Sequence, residues 1–309
     1  MIFGLEIFSF LETKATIIPQ LLWNGLVSGA LIALVSLGLT LIYSIAGFIQ
    51  FAHGELVALG AYSFMVFHKW LNWEILPASG GALFFVILVG LLLEKFFFRP
   101  VSQKDSMIPL VISIGLSMGI QSIILIIFGA NILTMSNNFS KSHSFFNNTI
   151  LATYPQILTV ALSIFLMISL ILFLKHSKIG KSIRAVSSNR AVAETFGINV
   201  NKSLQWIFGI GALMAGIAGI CLGFEQNLEP LMGVHILIKA FAAIILGSIG
   251  SIRGAIFGAF LIGVSENLLV GLGIIPSGFS VAIPFIILIL MLLIKPEGLL
   301  GKRFESLRQ

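Results

Sequence analysis

Three stretches of this chain carry side chains of the types that do chemistry. The first, Gly47-Phe-Ile-Gln50-Phe-Ala-His53-Gly54-Glu55, sets an amide, an imidazole and a carboxylate close together. Polar groups of this kind between two apolar arms make either a tight turn at the interface or an unwound stretch lining a cavity. The second is Glu266, a lone carboxylate inside an apolar region that also holds Gly247-Ser-Ile-Gly250-Ser-Ile-Arg253-Gly254. The third, residues 175–203, is basic, with Lys175, Lys178, Lys181, Arg184, Arg190 and Lys202. Several reaction classes fall away at once. The five histidines, His53, His68, His143, His176 and His235, are scattered, and no pair has metal-ligand spacing on one helix. A Gly-x-x-x-x-Gly-Lys-Ser/Thr loop is absent, so the chain is not expected to hydrolyse ATP itself. Carboxylates do not recur along one helix as a proton relay requires. Cys221 is the single cysteine, which rules out an internal disulfide.

The elements that must position these groups are membrane helices. Of 309 residues, 58% are hydrophobic and 10% charged, with a mean hydropathy of +1.07. Soluble domains carry about 25% charged residues, so this chain cannot cover a water-facing surface. Long apolar runs, not short alternating segments, exclude a β-barrel. The runs cover 17–46, 56–67, 80–98, 107–129, 155–174, 204–224, 236–273 and 281–294. The expectation is one domain over 1–309, an all-α polytopic membrane bundle of about eight transmembrane helices with Gly-broken segments and a cytoplasmic coupling helix. Residues 1–19 lack a basic n-region and a small-x-small cleavage site, so no cleaved signal peptide is expected.

The breaks at Gly47–Gly54 and Gly247–Gly254 each separate two apolar arms. Paired Gly interruptions in the two halves of a transporter point to its central pathway. Candidate pathway residues are therefore Gln50, His53, Gly54, Glu55, Gly247, Gly250, Gly254 and Glu266. The simpler alternatives are an interfacial turn with Glu55 near a helix N-terminus, Gly-mediated helix contact, and an interhelical hydrogen bond for Glu266, which is the favoured role there.

In the basic segment, residues 190–196 hold no helix breaker. Ser187, Ser188 or Asn189 can cap the start, and Gly197 can end the helix in a left-handed turn. Val192 and Phe196 share one face, four residues apart, with Arg190 and Glu194 elsewhere. A short amphipathic helix between two spans suits docking to a soluble partner; an ordinary basic loop is the alternative. The net charge of +6 reflects sidedness and not nucleic-acid binding. With this segment inside, Lys95, Arg99, Lys104, Arg253, Lys295, Lys302, Arg303 and Arg308 join it. Only Lys14, Lys69, Lys141 and Lys239 fall outside. The C-terminus is then cytoplasmic and the N-terminus outside.

Several motifs resemble one family along nearly the whole chain. They are Gly38-Leu-Thr-Leu-Ile-Tyr43 leading into Gln50-Phe-Ala-His-Gly-Glu55 and Leu59-Gly-Ala-Tyr62; Glu94 with Arg99-Pro100; Gly180-x-x-Ile-Arg-Ala185 with Asn189, Ala193 and Gly197-Ile-Asn-Val200; Leu246-Gly-Ser-Ile-Gly-Ser-Ile-Arg-Gly254; and Lys295-Pro-Glu-Gly-Leu299. The chain is similar to permease subunits of ABC importers for branched-chain amino acids, of the LivH type. It departs at Gln50, where the family usually has Asn, and near Arg253, where it often has Pro. The resemblance implies that Arg184, Ala185, Asn189, Arg190, Ala193, Glu194 and Gly197 form the coupling helix that sits on a cytoplasmic ATPase. It implies as partners a second, LivM-like permease, two ABC ATPase subunits and a periplasmic substrate-binding protein. The chain would bind no cofactor; ATP and Mg would be used by the partner ATPases. It would sit among lipids of the bacterial inner membrane and pass leucine, isoleucine and valine. Within the family, urea, short amides or other amino acids are alternative substrates. A stand-alone secondary carrier, or less readily a membrane enzyme, is the alternative from another class.

Overall fold

The computed structural model describes residues 2–102, 107–135, 142–145, 149–295 and 298–300, with backbone alone at 2–16 and at 142, 143 and 145. Lys104, Lys141, Lys302, Arg303, Arg308 and the Lys14 side chain, which entered the charge bias, lie outside the described set, as do Pro296 and Glu297 of the tail motif.

The helices are α1 (Ile2–Ala46), α2 (Ala52–Met65), α3 (Ile75–Leu93), α4 (Met107–Phe128), α5 (Tyr154–His176), α6 (Lys178–Ser188), α7 (Arg190–Thr195), α8 (Val200–Glu225), α9 (Met232–Gly247), α10 (Ile252–Gly271) and α11 (Ile283–Ile294). A π turn, Val66–Trp70, continues α2, and π and 3₁₀ turns carry α3 on to Val101. A small antiparallel hairpin, β1 (Ser142–Phe145) and β2 (Ile150–Thr153), pairs Ser142 with Thr153 between α4 and α5.

Among the described residues seven helices are long and apolar enough to cross a bilayer, and α9 is a shorter apolar one. α2, 14 residues long with a polar start, falls in neither class. Seven by length and nine with both short arms bracket the expected eight. Ends on opposite faces need an odd number of passes. Seven or nine passes would satisfy that condition, and eight would not.

The core is a set of buried helices inside a ring of exposed ones. Nearly every α1 residue from Ala30 to Ile42 is buried, and α8 is buried along most of its length. By contrast α3, α4, α5 and α11 present Phe84, Met118, Phe165 and Leu293 outward. Lipid tails are as apolar as leucine, so the hydrophobic effect does not drive these helices together; close packing does. Glycines permit it. α1 meets α10 where Gly29 lies on Gly263, and α2 runs parallel to α8 with Gly60 on Gly216 and Phe64 edge-on to Phe224.

One end of the bundle is tied by polar side chains. Thr153 and Gln156 form a capping box that starts α5. Gln156 Oε1 also accepts from Trp23 Nε1 (3.2 Å), and its Nε2 donates to Glu225 (3.0 Å), so α1, α5 and α8 converge there. The basic segment occupies the opposite end.

Candidate functional site

The basic segment folds as two helices, not one. Ser177 Oγ accepts from the Gly180 amide (2.8 Å) and starts α6. A Cβ at Gly180 would strike the Leu174 backbone, so the sharp turn out of α5 requires glycine there. Ile183 and Val186 point inward, while Lys178, Lys181 and Arg184 face out; Arg184 reaches the Lys175 carbonyl (3.4 Å), and Ala185 is half-buried. This face pattern was readable at helical spacing from residue 178 onward.

The second helix, α7, follows the expectation closely. Of the three capping candidates, Asn189 is the one used: its Oδ1 accepts from the Val192 amide (3.1 Å). Gly197 at φ +77° ends the turn, and Asn199 caps α8 through the Lys202 amide (3.0 Å). Val192 and Phe196 project outward, with Phe196 81% exposed. Ala193 faces the opposite way, 4% exposed, and its carbonyl accepts from Ile198 N–H. Arg190 pairs with Glu194 (3.4 Å) and donates to the Ser102 carbonyl (3.0 Å). α7 is thus braced to the end of α3, a contact between residues 88 apart that no local pattern signals.

Beside that brace lies an ion pair. Glu94, 1% exposed, accepts from Arg99 Nε (2.9 Å) and Nη2 (2.7 Å). The π turn from Glu94 to Phe98 puts residues five apart on one face, which the usual three-or-four spacing rule overlooks. The Phe98 ring then stacks on Phe48 (5.2 Å) and tilts against Phe208 (5.4 Å). A chain of contacts runs from α7 through Ser102 and Phe98 to the residue after Gly47.

Gly47, at φ +72°, closes α1 and opens the first break. Its polar groups are buried: Gln50, His53 and Glu55 are each 0% exposed. Glu55 Oε1 accepts from Ser117 Oγ (3.2 Å), and Ser113 Oγ accepts from Phe51 N–H (3.2 Å), so α4 supplies hydroxyls to the break. The second Glu55 oxygen, both Gln50 amide atoms and Thr40 Oγ1 have no protein partner. The Val35 carbonyl faces the His53 ring, yet neither ring nitrogen makes a well-formed hydrogen bond. Buried polar atoms normally find protein or water. Irregular backbone at membrane depth is tolerated where it lines a wet or protein-filled cavity. Gly54 packs backbone to backbone on Gly233 of α9, so the first break touches an arm of the second.

The second break is a tight hairpin. Gly247 lies on Gly254, and Ser251 Oγ caps α10 through the Gly254 amide (3.1 Å). Gly250 has φ +83°, and Ser248 has φ +96° without being glycine. The tail closes over it: Leu299 N–H donates to the Leu246 carbonyl (2.8 Å). Glu266 is bonded to Lys239 Nζ (2.6 Å), joining α10 to α9, as the simpler expectation had it. Lys239, counted among the outside charges, sits midway along α9.

A family model described as the permease component of branched-chain amino acid transport systems matches residues 21–292. The chain belongs to that family. The high-affinity branched-chain amino acid transport permease LivH of Salmonella typhimurium is 32% identical over 92% of this chain and 95% of its own length. A probable branched-chain amino acid transport permease LivH of Methanocaldococcus jannaschii is 30% identical over 94% and 95%. Among solved structures, PsaBC from Streptococcus pneumoniae in complex with Fab covers 94% of this chain and 97% of its own. It aligns at a TM-score of 0.53 and 12% identity, which bears on the fold alone.

Proposed function

We propose that this permease is the translocating subunit of an ATP-driven importer of branched-chain amino acids, and that α7 is where ATPase motion enters the membrane. The observation that carries this is the outward pair Val192 and Phe196 on a short helix capped at Asn189 and braced by Arg190. A large aromatic side chain left in water is costly in a monomer and is typical of a binding hot spot. Arg184, Ala185, Asn189, Arg190, Ala193, Glu194 and Gly197 are the coupling residues, in three roles. Asn189 and Gly197 set the ends of α7. Ala193 seats it. Arg184, Arg190 and Glu194 orient it.

Movement of α7 would pull Ser102 through Arg190. The rigid Glu94–Arg99 pair and the Phe98–Phe48 stack would pass that shift to the Gly47–Glu55 break. The unpaired polar atoms of Gln50, His53 and Glu55 suit brief contact with a zwitterion on its way through. Intramembrane charge is scarce, which favours passage over tight holding. The Gly247–Gly254 hairpin and the Lys239–Glu266 pair serve as the fixed wall on the other side. The chain performs no hydrolysis: ATP and Mg belong to two ABC ATPase subunits. A second, LivM-like permease and a periplasmic binding protein complete the importer. The orientation is multi-pass in an inner membrane, with the basic segment and C-terminus cytoplasmic, as the positive-inside bias favours.

Phe196→Cys, in cells that also make the ATPases, tests the docking. Cross-linking to an ATPase by a thiol-reactive bifunctional reagent is expected, because Cys221 is buried and contributes little background. Labelling of the new thiol by an impermeant maleimide added to the outside of intact cells would overturn both the docking and the orientation.

A further inference from the structure

An open groove of about 750 Å³ runs between α3 and α8. Its walls are apolar: Ile87, Leu91 and Leu92 on one side, Gly209, Ile210 and Leu213 on the other. Gly209 sets its depth, since the nearest atom to a Cβ built there is a Leu91 methyl at 3.6 Å. Chemistry changes sharply at one end. Lys95, Lys202, Gln205 and Trp206 line that mouth, and among the described residues no acid lines the groove. The neighbouring carboxylate, Glu94, is turned away and held by Arg99. Lys95 lies 5.5 Å from the ring of Phe96, and both lysines are exposed. A smaller hollow of about 300 Å³ shares Lys202 and Trp206 and extends the polar end to Ser182 of α6 and Asn199.

We infer that this groove is a site for one anionic phospholipid, its acyl chain between α3 and α8 and its phosphate at Lys95 and Lys202. An apolar trough explains an acyl chain but not a choice of head group; the two unopposed ammonium groups supply that choice. A zwitterionic lipid would fill the walls equally well, while its own cation would offset the attraction. The Trp206 indole and Gln205 amide add hydrogen-bond donors at the level where aromatic rings settle in a bilayer. The continuation to Ser182 and Asn199 sets the head group against the connector between α6 and α8. Lipid identity therefore reaches the arm that the reading above assigns to coupling, while binding itself does not depend on that assignment.

Native mass spectrometry of the full chain, exchanged into equal amounts of phosphatidylglycerol and phosphatidylcholine, reads the preference. Roughly fivefold per lysine near the head group gives about 30-fold retention of phosphatidylglycerol at low ionic strength. Lys95→Gln with Lys202→Gln should bring the ratio near parity. Lys175→Gln with Lys178→Gln, outside the groove, should leave it unchanged. Gly209→Leu should remove the retained lipid whatever its head group. Equal retention of the two lipids by the unmodified chain would overturn the proposal, and so would an equal loss of preference in both lysine pairs. A third contrary result is efficient cross-linking of Leu92→Cys to a second permease in native membranes, which would show that protein covers the groove.

Discussion

Phe196→Ala separates docking from folding more cleanly than any other change in the coupling arm. The ring is 81% exposed, so its removal leaves the permease packing almost untouched. If the ring enters an ATPase groove, truncation removes apolar burial worth about 2 kcal/mol. That corresponds to roughly a 30-fold loss of affinity. Ala193→Arg, one turn face away, makes the opposite kind of error. Ala193 is 4% exposed, so an arginine there pushes α7 off its seat and lowers stability and docking together. The assay is equilibrium binding of purified ATPase to the permease in nanodiscs, with thermal unfolding of the same samples. Phe196→Ala is expected to weaken binding about 30-fold with an unchanged melting temperature. Unchanged affinity would refute the reasoning, because no other large exposed aromatic lies on α7.

Arg99→Met leaves Glu94 as a buried, unpaired carboxylate and should destabilise the fold by about 3 kcal/mol. Adding Glu94→Gln should recover more than half of that loss, read by thermal unfolding in detergent. Arg190→Ala removes the 3.0 Å bond to the Ser102 carbonyl. Solute moved per ATP hydrolysed should then fall severalfold while ATPase affinity changes less than about twofold; a purely docking role would give the reverse. Ser248→Gly relieves a backbone conformation, φ +96°, that costs a non-glycine residue roughly 1 kcal/mol. The melting temperature should rise by a few degrees, and a fall would show that the Ser248 side chain holds the hairpin.

Much of the fold was legible because membranes simplify the reading. Apolar run length located nearly every long helix, and Gly47, Asn189 and Gly197 behaved as their types dictate. The failures share a cause: they rest on distance in sequence or on turn geometry. The Arg190–Ser102 bond joins residues 88 apart. The Glu94–Arg99 pair needs a π turn to bring residues five apart together. The Lys239–Glu266 pair joins residues 27 apart. The polar groups at Gln50, His53 and Glu55 were identifiable as unusual. Their full burial and the hydroxyls that α4 brings to them were not, because helix rotation is set by packing partners and not by local pattern.

The central claim is that the chain moves solute only when a nucleotide-hydrolysing neighbour drives α7. The direct measurement is uptake of labelled leucine into proteoliposomes, comparing the permease alone under an ion gradient with the assembled permeases, ATPases and binding protein plus ATP. Uptake is predicted only in the assembled case, and it should fall with Phe196→Ala. Accumulation by the permease alone would contradict the account.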